Sequence, residues 1–189
     1  MIYIIRHGQT DLNRKHRLLG RTDCPLNATG TAEAREAAEE LRRRGVVFDA
    51  VYTSPLVRAV QTAEIIAPRV PLLTDARLLE MDYGPFEGMN LLLPSPKVLP
   101  FFRDFVHTPA PEGMESLESV RTRTAEFFNT LCGRRDTILI CTHAVVMKAI
   151  LENLTPESKG SYWSKPIGNC AVYTTDWTRE GFSVPKPWI

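Results

Sequence analysis

The 189-residue chain lacks several features that would assign a protein quickly to a class. It has four cysteines, none of them in a Cys-x-x-Cys pair, so a zinc site is not expected. No apolar run approaches the ~20 residues that a membrane-spanning helix needs. The formal net charge is only +1, which gives no bulk attraction to nucleic acid or to an anionic membrane. If the protein binds an anion, a few placed cations must hold it.

The amino-terminal end also lacks a basic leader followed by an apolar stretch, because the short apolar run after Met1 reaches Arg6 at once. We therefore expect a cytoplasmic protein with reduced cysteines. Its composition, 43% hydrophobic and 24% charged residues, is that of an ordinary globular protein. The length predicts one domain over residues 1–189.

Strand-like and helix-like segments alternate along the chain. Apolar and β-branched runs predict strands at 2–5, "FDAVYTS", 70–79, "DTILICTH" and "NCAVYTTDW". Amphipathic stretches predict helices over "TGTAEAREAAEELRRRG", "SPLVRAVQTAEII", "SLESVRTRTAEFFNTLCG" and "AVVMKAILENL". The alternation predicts an α/β sheet covered by helices on both faces. Ser54 and Thr142 are expected to cap the helices that follow them.

Residues 89–113 interrupt this alternation with five prolines and a series of leucines and phenylalanines. We expect an insertion that carries a short helix near 97–106 and acts as a lid over a pocket. The alternative is a proline-containing segment that binds another protein. Its main cations are Lys97 and Arg103, so an apolar lid favours a substrate with a partly apolar or neutral leaving group.

Basic side chains follow three of the predicted strands. Arg6, His7 and Gly8 come after the first, Arg58 follows the second, and His143 follows the fourth at a helix N-terminus. Ligands of α/β sheets bind beyond the carboxyl ends of the strands, and arginine forks and helix N-termini both suit phosphate. We expect Gly8 to let the backbone approach the ligand. The sequence thus predicts an anion site, and no metal, since neither histidine has an obvious carboxylate partner.

Four motifs then occur in order: "RHGQTDLN" with "LLGRTDCPLNATG", "YTSPLVRAVQTAEII", "LLEMDYGPFEGM" and "ILICTHAVVMKAIL". At these residues the chain resembles the histidine phosphatase superfamily, in its phosphoglycerate mutase-like branch. The resemblance spans residues 2–154. It implies a three-layer α/β/α sandwich with a mainly parallel sheet and an antiparallel edge strand at "CAVYTTDW". It also implies catalysis without a cofactor.

The resemblance implies a role for each of six residues. His7 would be the nucleophile that takes the phosphoryl group. Glu80 would be the general acid that protonates the leaving oxygen and then activates water. The other four would bind the phosphoryl group, and one of them, His143, would also be catalytic: Arg6, Asn13, Arg58 and His143.

Physical chemistry sets conditions on these roles. Charge in phosphoryl transfer spreads over the equatorial oxygens, which two arginines and a cationic His143 could stabilise without a metal. His7 must attack with an unprotonated nitrogen, so its other nitrogen needs an acceptor such as a backbone carbonyl. Glu80 must start protonated, which requires a raised pKa. Asp82 and Glu87 are the alternatives for the acid.

Three functions remain open at this point. The first is a phosphomonoesterase acting on a small phosphorylated metabolite, with α-ribazole phosphatase-like enzymes among the family members of this size. The second is a mutase of the phosphoglycerate type, and the third is a non-catalytic protein that binds a phosphorylated ligand. The short chain and the apolar insertion favour the phosphatase. A homodimer is a further expectation, since the tail "SVPKPWI" could dock on the core or on a second subunit.

Overall fold

The apolar runs of the sequence form the strands, and the amphipathic stretches form the helices between them. The computed structural model describes residues 1–188. In chain order its elements are β1 Ile2–Arg6, α1 Asp11–Arg14, α2 Ala28–Arg43, β2 Ala50–Thr53, α3 Val57–Ile66, β3 Leu72–Thr74, α4 Leu99–Arg103, α5 Leu117–Asn129, β4 Ile138–Thr142, α6 Ala144–Asn153, α7 Ser161–Ser164, β5 Val172–Thr175, β6 Trp177–Thr178, β7 Gly181–Phe182 and β8 Lys186–Pro187. Short 3-10 turns cover Ala76–Leu78, Gly84–Phe86 and Pro156–Ser158.

Six strands form one sheet in the order β3-β2-β4-β1-β5-β8. The pairs β1–β4, β2–β4 and β2–β3 are parallel, whereas β5 runs antiparallel to β1. The two-residue β8 pairs antiparallel on the outer side of β5. The predicted mainly parallel sheet with an antiparallel strand in "CAVYTTDW" is confirmed, with β8 as a short addition at that edge.

Side chains of β1 alternate between two separate cores. Ile2 and Ile4 pack with apolar residues of α5 and α6, while Tyr3 and Ile5 pack with α2 and α3 on the other face. Burial of each such side chain stabilises the fold by about 1.5–3 kcal/mol. Helices therefore cover both faces of the sheet, as the three-layer prediction requires.

The interrupting segment 89–113 packs against the core through its aromatic residues. Its predicted short helix is confirmed as α4. Phe101 is buried, and the ring of Phe105 stacks on Trp163 with centroids 6.2 Å apart. By contrast, Leu91, Leu92 and Leu93 are exposed. The lid role of this segment and the single-domain organisation remain predictions.

The expected caps at Ser54 and Thr142 are wrong. The helix α3 begins only at Val57, because the chain needs two residues beyond Ser54 to turn out of β2. The Ser54 hydroxyl bonds instead with His143 Nε2 at 2.7 Å. Thr142 donates its hydroxyl to Leu78 O at 2.9 Å, and His143 is the N-cap residue of α6. Both hydroxyls hold strand ends in place.

The carboxyl-terminal tail docks on the core. Trp188 packs edge-to-face on Tyr3, with ring centroids 5.6 Å apart, and the Arg44 guanidinium lies 4.5 Å from the Trp188 ring centroid. Ile189, the other apolar tail residue, is outside the described residues. The homodimer stays a prediction. None of the helices within residues 1–188 is long and apolar enough to cross a membrane.

Candidate active site

His7 lies directly after β1, where the chain leaves the centre of the sheet. Its backbone N–H donates to Thr142 O at 2.9 Å, and its side chain is 3% exposed. The ring Nδ1 donates to Gly8 O at 2.7 Å, since a carbonyl can only accept. This bond fixes the tautomer and leaves the lone pair of Nε2 for attack. The expected carbonyl partner is therefore present.

Arg58 is the second residue of α3, and its guanidinium group is fully buried beside His7. Its Nε donates to His7 Nε2 at 3.3 Å. Its two terminal nitrogens donate to Thr22 O at 2.9 Å and to Gly20 O at 2.6 Å. Burial lowers the pKa of Arg58 and the charge of Glu80 raises it. Arginine remains a cation in proteins, so the loop carbonyls hold a fixed positive charge at His7.

Arg6, the last residue of β1, supplies the second cation. Its Nη1 donates to Ile167 O at 2.5 Å. Burial lowers the pKa of Arg6, whereas the nearby carboxyl groups of Glu80 and Glu33 raise it. The buried Nε of Arg6 has no hydrogen-bond partner among residues 1–188. A buried donor without a partner is costly, so this nitrogen is a ready donor for an anion.

His143 completes the basic group from the end of β4. Its ring centroid lies 5.1 Å from that of His7, and the two rings make an angle of 61°. Burial holds the pKa of both histidines well below the usual value, and the charge of Arg58 lowers each further. This direction opposes the expectation of a cationic His143, because burial beside guanidinium groups disfavours the charged form, and the cationic role stays a prediction. Within the described part of the chain, its buried Nδ1 has no partner.

Glu80 follows the 3-10 turn at Ala76–Leu78 and is 4% exposed. Its Oε1 accepts from Met81 N at 2.9 Å, and its Oε2 accepts from Val145 N at 3.3 Å in the first turn of α6. Burial raises the pKa of Glu80, although these two hydrogen bonds and the charges of both site arginines, Arg58 and Arg6, oppose the shift. The raised pKa that a general acid needs is thus confirmed in direction.

The alternative acids are committed to other contacts. Glu87 accepts from Arg21 N at 2.5 Å and from Thr22 N at 2.7 Å, so its carboxylate holds the 20–22 loop in place. Asp82 accepts from Gly84 N at 2.8 Å within its own turn. Neither carboxyl group has the burial and the paired arginines of Glu80. The geometry favours Glu80 as the acid.

Asn13 forms part of a capping box at the start of α1. Its Oδ1 accepts from Thr10 N at 3.2 Å, while its own N–H donates to Thr10 Oγ1 at 3.2 Å. The cap uses the side-chain amide oxygen of Asn13, and the Nδ2 hydrogens take no part in it. The phosphoryl contact of Asn13 stays a prediction.

Gly8 has a structural reason that the sequence did not indicate. A Cβ at Gly8 would lie 2.4 Å from Gly30 O, and a Cβ at Gly30 would lie 2.1 Å from Gln9 O. The two glycines let the first turn of α2 pack directly on the loop after β1. Close packing of backbone on backbone is sufficient to require a glycine at position 8, and the approach of the backbone to a ligand stays a prediction.

Two residues near the site were missed by the sequence reasoning. Tyr83 is buried, and burial together with the charge of Glu80 holds its pKa well above the usual value. Lys148 of α6 donates from Nζ to Trp163 O at 2.8 Å. A lysine in the otherwise apolar "AVVMKAIL" was a visible signal for the second residue. Tyr83, three residues after Glu80, carried no comparable signal.

Residues 1–188 offer no obvious set of metal ligands. No group of three or more His, Cys, Asp or Glu side chains within residues 1–188 is placed to hold a metal ion. Metal-independent catalysis stays a prediction that a chelator tests.

The edge of an α/β sheet that gathers two arginines, two buried histidines with lowered pKa values and a buried carboxyl group with a raised pKa defines a site suited to phosphoryl groups. The sequence matches the histidine phosphatase superfamily (branch 1) over residues 2–187, and the chain belongs to this superfamily of phosphatases and mutases.

The named relatives include both a mutase and a phosphatase. The 2,3-bisphosphoglycerate-dependent phosphoglycerate mutase of Bradyrhizobium diazoefficiens is 34% identical over 176 residues, which cover 83% of each chain. A phosphoserine phosphatase from Entamoeba histolytica, solved with 3-phosphoglyceric acid, superimposes with a TM-score of 0.83 at 26% identity, covering 100% of this chain and 94% of the other. YhfR of Bacillus stearothermophilus gives a TM-score of 0.84 at 29% identity, covering 97% of this chain and 94% of the other.

Proposed function

We propose that this protein is a cytoplasmic, metal-independent phosphomonoesterase that hydrolyses a small phosphorylated metabolite through a phosphohistidine at His7. The observation that carries the proposal is the arrangement of the buried site: His7 Nδ1 is bound to Gly8 O, His7 Nε2 faces Arg58, and the carboxyl group of Glu80 is held at the start of α6. His7 is buried, neutral and fixed in one tautomer, while Glu80 is buried with a raised pKa. The first step needs a nucleophile without its proton and an acid with its proton, and the directions of the two pKa shifts favour these states.

In the first step His7 Nε2 attacks phosphorus, and the bond between phosphorus and the ester oxygen breaks. The leaving oxygen takes the proton of Glu80 and departs as an alcohol. The phosphoryl oxygens would take the Nε–H of Arg58, which now donates to His7, and the Nε–H of Arg6, which has no partner among residues 1–188. In the second step water attacks phosphorus, Glu80 accepts the proton of that water, and His7 leaves as a neutral imidazole.

The fate of the phosphohistidine separates a phosphatase from a mutase. A mutase must hold a bisphosphate intermediate, and therefore a second phosphate group, while it returns the phosphoryl group to another hydroxyl. Lys97 and Arg103, the main cations of the 89–113 segment, are both exposed. Since neither cation is buried, the segment favours transfer of the phosphoryl group to water over its return to the substrate. The short chain is a weaker argument, because the mutase of Bradyrhizobium diazoefficiens matches 83% of both chains.

The experiment is phosphate release from a panel of phosphomonoesters in excess EDTA, with the wild type beside His7→Ala. The panel contains aryl phosphates, sugar phosphates, nucleotides, 3-phosphoglycerate, O-phosphoserine and α-ribazole phosphate. We expect release that survives EDTA and disappears in the variant. Residual activity above about one per cent of wild type would count against His7 as the nucleophile.

The mutase remains the second candidate, because a curated relative with that name aligns over most of the chain. Its test is the interconversion of 2- and 3-phosphoglycerate with 2,3-bisphosphoglycerate as primer. Interconversion faster than phosphate release would replace the phosphatase proposal. Neither reaction, together with tight binding of phosphate esters, would leave the non-catalytic binding protein.

A further inference from the structure

One face of α6 runs from the acid of the site to the α7 segment. Val145 and Lys148 are three residues apart and Glu152 follows after four more, so the three lie on the same face of the helix. Val145 N donates to Glu80, and Lys148 is one turn further along. The rise between these two residues is about 4.5 Å. Lys148 therefore lies one turn along α6 from the residue whose N–H holds the acid.

Lys148 reaches toward the chain that also holds Arg6. Its Nζ donates to Trp163 O at 2.8 Å, and Arg6 Nη1 donates to Ile167 O at 2.5 Å. The charged groups of Lys148 and Arg6 thus donate to two backbone carbonyls that are four residues apart in the chain. Burial lowers the pKa of Lys148. The charge of Glu80 raises this pKa, and the charge of Arg6 lowers it.

The ammonium group of Lys148 has no carboxylate partner. None of the salt bridges within residues 1–188 includes it. Glu152, the acidic residue on the same helix face, is occupied elsewhere: it accepts from Gly160 N at 3.1 Å and from Tyr162 N at 2.6 Å. A partly buried ammonium with one neutral acceptor is poorly compensated. It would be stabilised by an anion placed beside the phosphoryl site.

We propose that Lys148 is a specificity-determining residue whose ammonium group binds a carboxylate on the alcohol part of the substrate. A lone ammonium supplies one positive charge and matches the single charge of a carboxylate, whereas a second phosphate would call for more cations. The inference rests on the proposed function and narrows its substrate to a small phosphorylated acid. It also replaces the expectation of a neutral leaving group, which considered only the cations of 89–113.

The test compares two substrates that differ only in the carboxylate, O-phosphoserine and O-phosphoethanolamine. The wild type should prefer O-phosphoserine in kcat/KM, mainly through KM. Lys148→Met, which keeps the apolar stem, should reduce this preference about tenfold, the effect of one charge-assisted hydrogen bond. Lys148→Arg should keep much of the preference. Lys165→Met removes an exposed lysine near α7 and is the matched control, which should leave the ratio unchanged.

A second measurement does not depend on turnover. The dissociation constants of both compounds are measured by calorimetry in the His7→Ala background, with and without Lys148→Met. Two results would overturn the inference. One is equal dissociation constants for the two compounds when Lys148 is present, and the other is an equal loss of affinity for both compounds in Lys148→Met. Aryl phosphate hydrolysis by the wild type would still support the phosphatase in that case. Lack of any hydrolysis would instead overturn the proposed function, and the binding ratio would still decide the role of Lys148.

Discussion

Arg58 donates a hydrogen bond from Nε to Nε2 of His7 at 3.3 Å, the nitrogen whose lone pair the tautomer leaves available. A guanidinium group in this place keeps protons off His7 and stands where a phosphoryl oxygen would need a donor. One contact therefore prepares the nucleophile and marks the place of the anion. The carbonyls of Gly20 and Thr22 fix the arginine in that position.

The pH dependence of activity should follow from His7 and Glu80. His7 must be neutral, and its pKa lies well below 6.5, so the acidic limb of kcat/KM should fall well below that pH. Glu80 must be protonated, and its pKa is raised above 4.5, so activity should decline as the pH rises through that raised pKa. We expect a bell-shaped profile whose two limbs are set by the pKa values of His7 and Glu80. Activity that rises steadily into alkaline pH would contradict the assigned protonation states.

Glu80→Gln should slow substrates with poor leaving groups much more than activated aryl phosphates, which need little protonation. Steady-state rates with a sugar phosphate and with p-nitrophenyl phosphate measure this difference. Glu87→Gln is the control, because Glu87 holds the 20–22 loop and should affect both substrates alike. Equal losses on both substrates in Glu80→Gln would remove its role as the acid.

The free energy of unfolding should fall as the pH is lowered below about 6.5. Both buried histidines have lowered pKa values, so the unfolded chain binds more protons in this range. Their contribution is present above 6.5 and is lost as the pH falls, by at most about 1.4 kcal/mol per pH unit for each histidine. Glu80, with a raised pKa, acts oppositely: its contribution is present below 4.5 and is lost as the pH rises.

Urea denaturation from pH 8 to pH 5 tests this balance, because two histidines outweigh one carboxyl group. The slope should become smaller in His143→Gln, which has no proton to gain. An unchanged slope in this variant would show that His143 is not held neutral.

Gly8→Ala should destabilise the protein by about 1–3 kcal/mol or more, since the added methyl group would meet Gly30 O at 2.4 Å. Thermal unfolding measures the loss. Gly168→Ala is the control, because a Cβ at Gly168 would meet nothing within 4 Å. Similar melting temperatures for Gly8→Ala and the wild type would refute the close packing of α2 on the loop after β1.

The sequence predicted the sheet, its covering helices and the gathering of basic residues, because strand ends are set by local patterns. It placed Arg6, His7, Arg58 and His143 at one edge, and the structure brings them together. It could not give the lowered pKa of His143, because that depends on burial and on charges from distant parts of the chain.

The errors also have long-range causes. Ser54 was read as a helix cap, although its partner is a residue 89 positions away. Gly8 was explained only by the approach of the backbone to a ligand, and its packing on the backbone of α2 was missed. Lys148 was passed over because its neighbours come from α7, which no motif predicted. Contacts between separate segments decide each of these roles.

The most direct test of the account is to locate the phosphoryl group during turnover. The enzyme is mixed with excess p-nitrophenyl phosphate, quenched in base, which preserves phosphohistidine, and mapped by peptide mass spectrometry. The account predicts one added phosphoryl group on His7, absent in His7→Ala and accumulating in a variant slow at the water step. Phosphate release with no phosphoryl group on His7, or with the group on another residue, would contradict it.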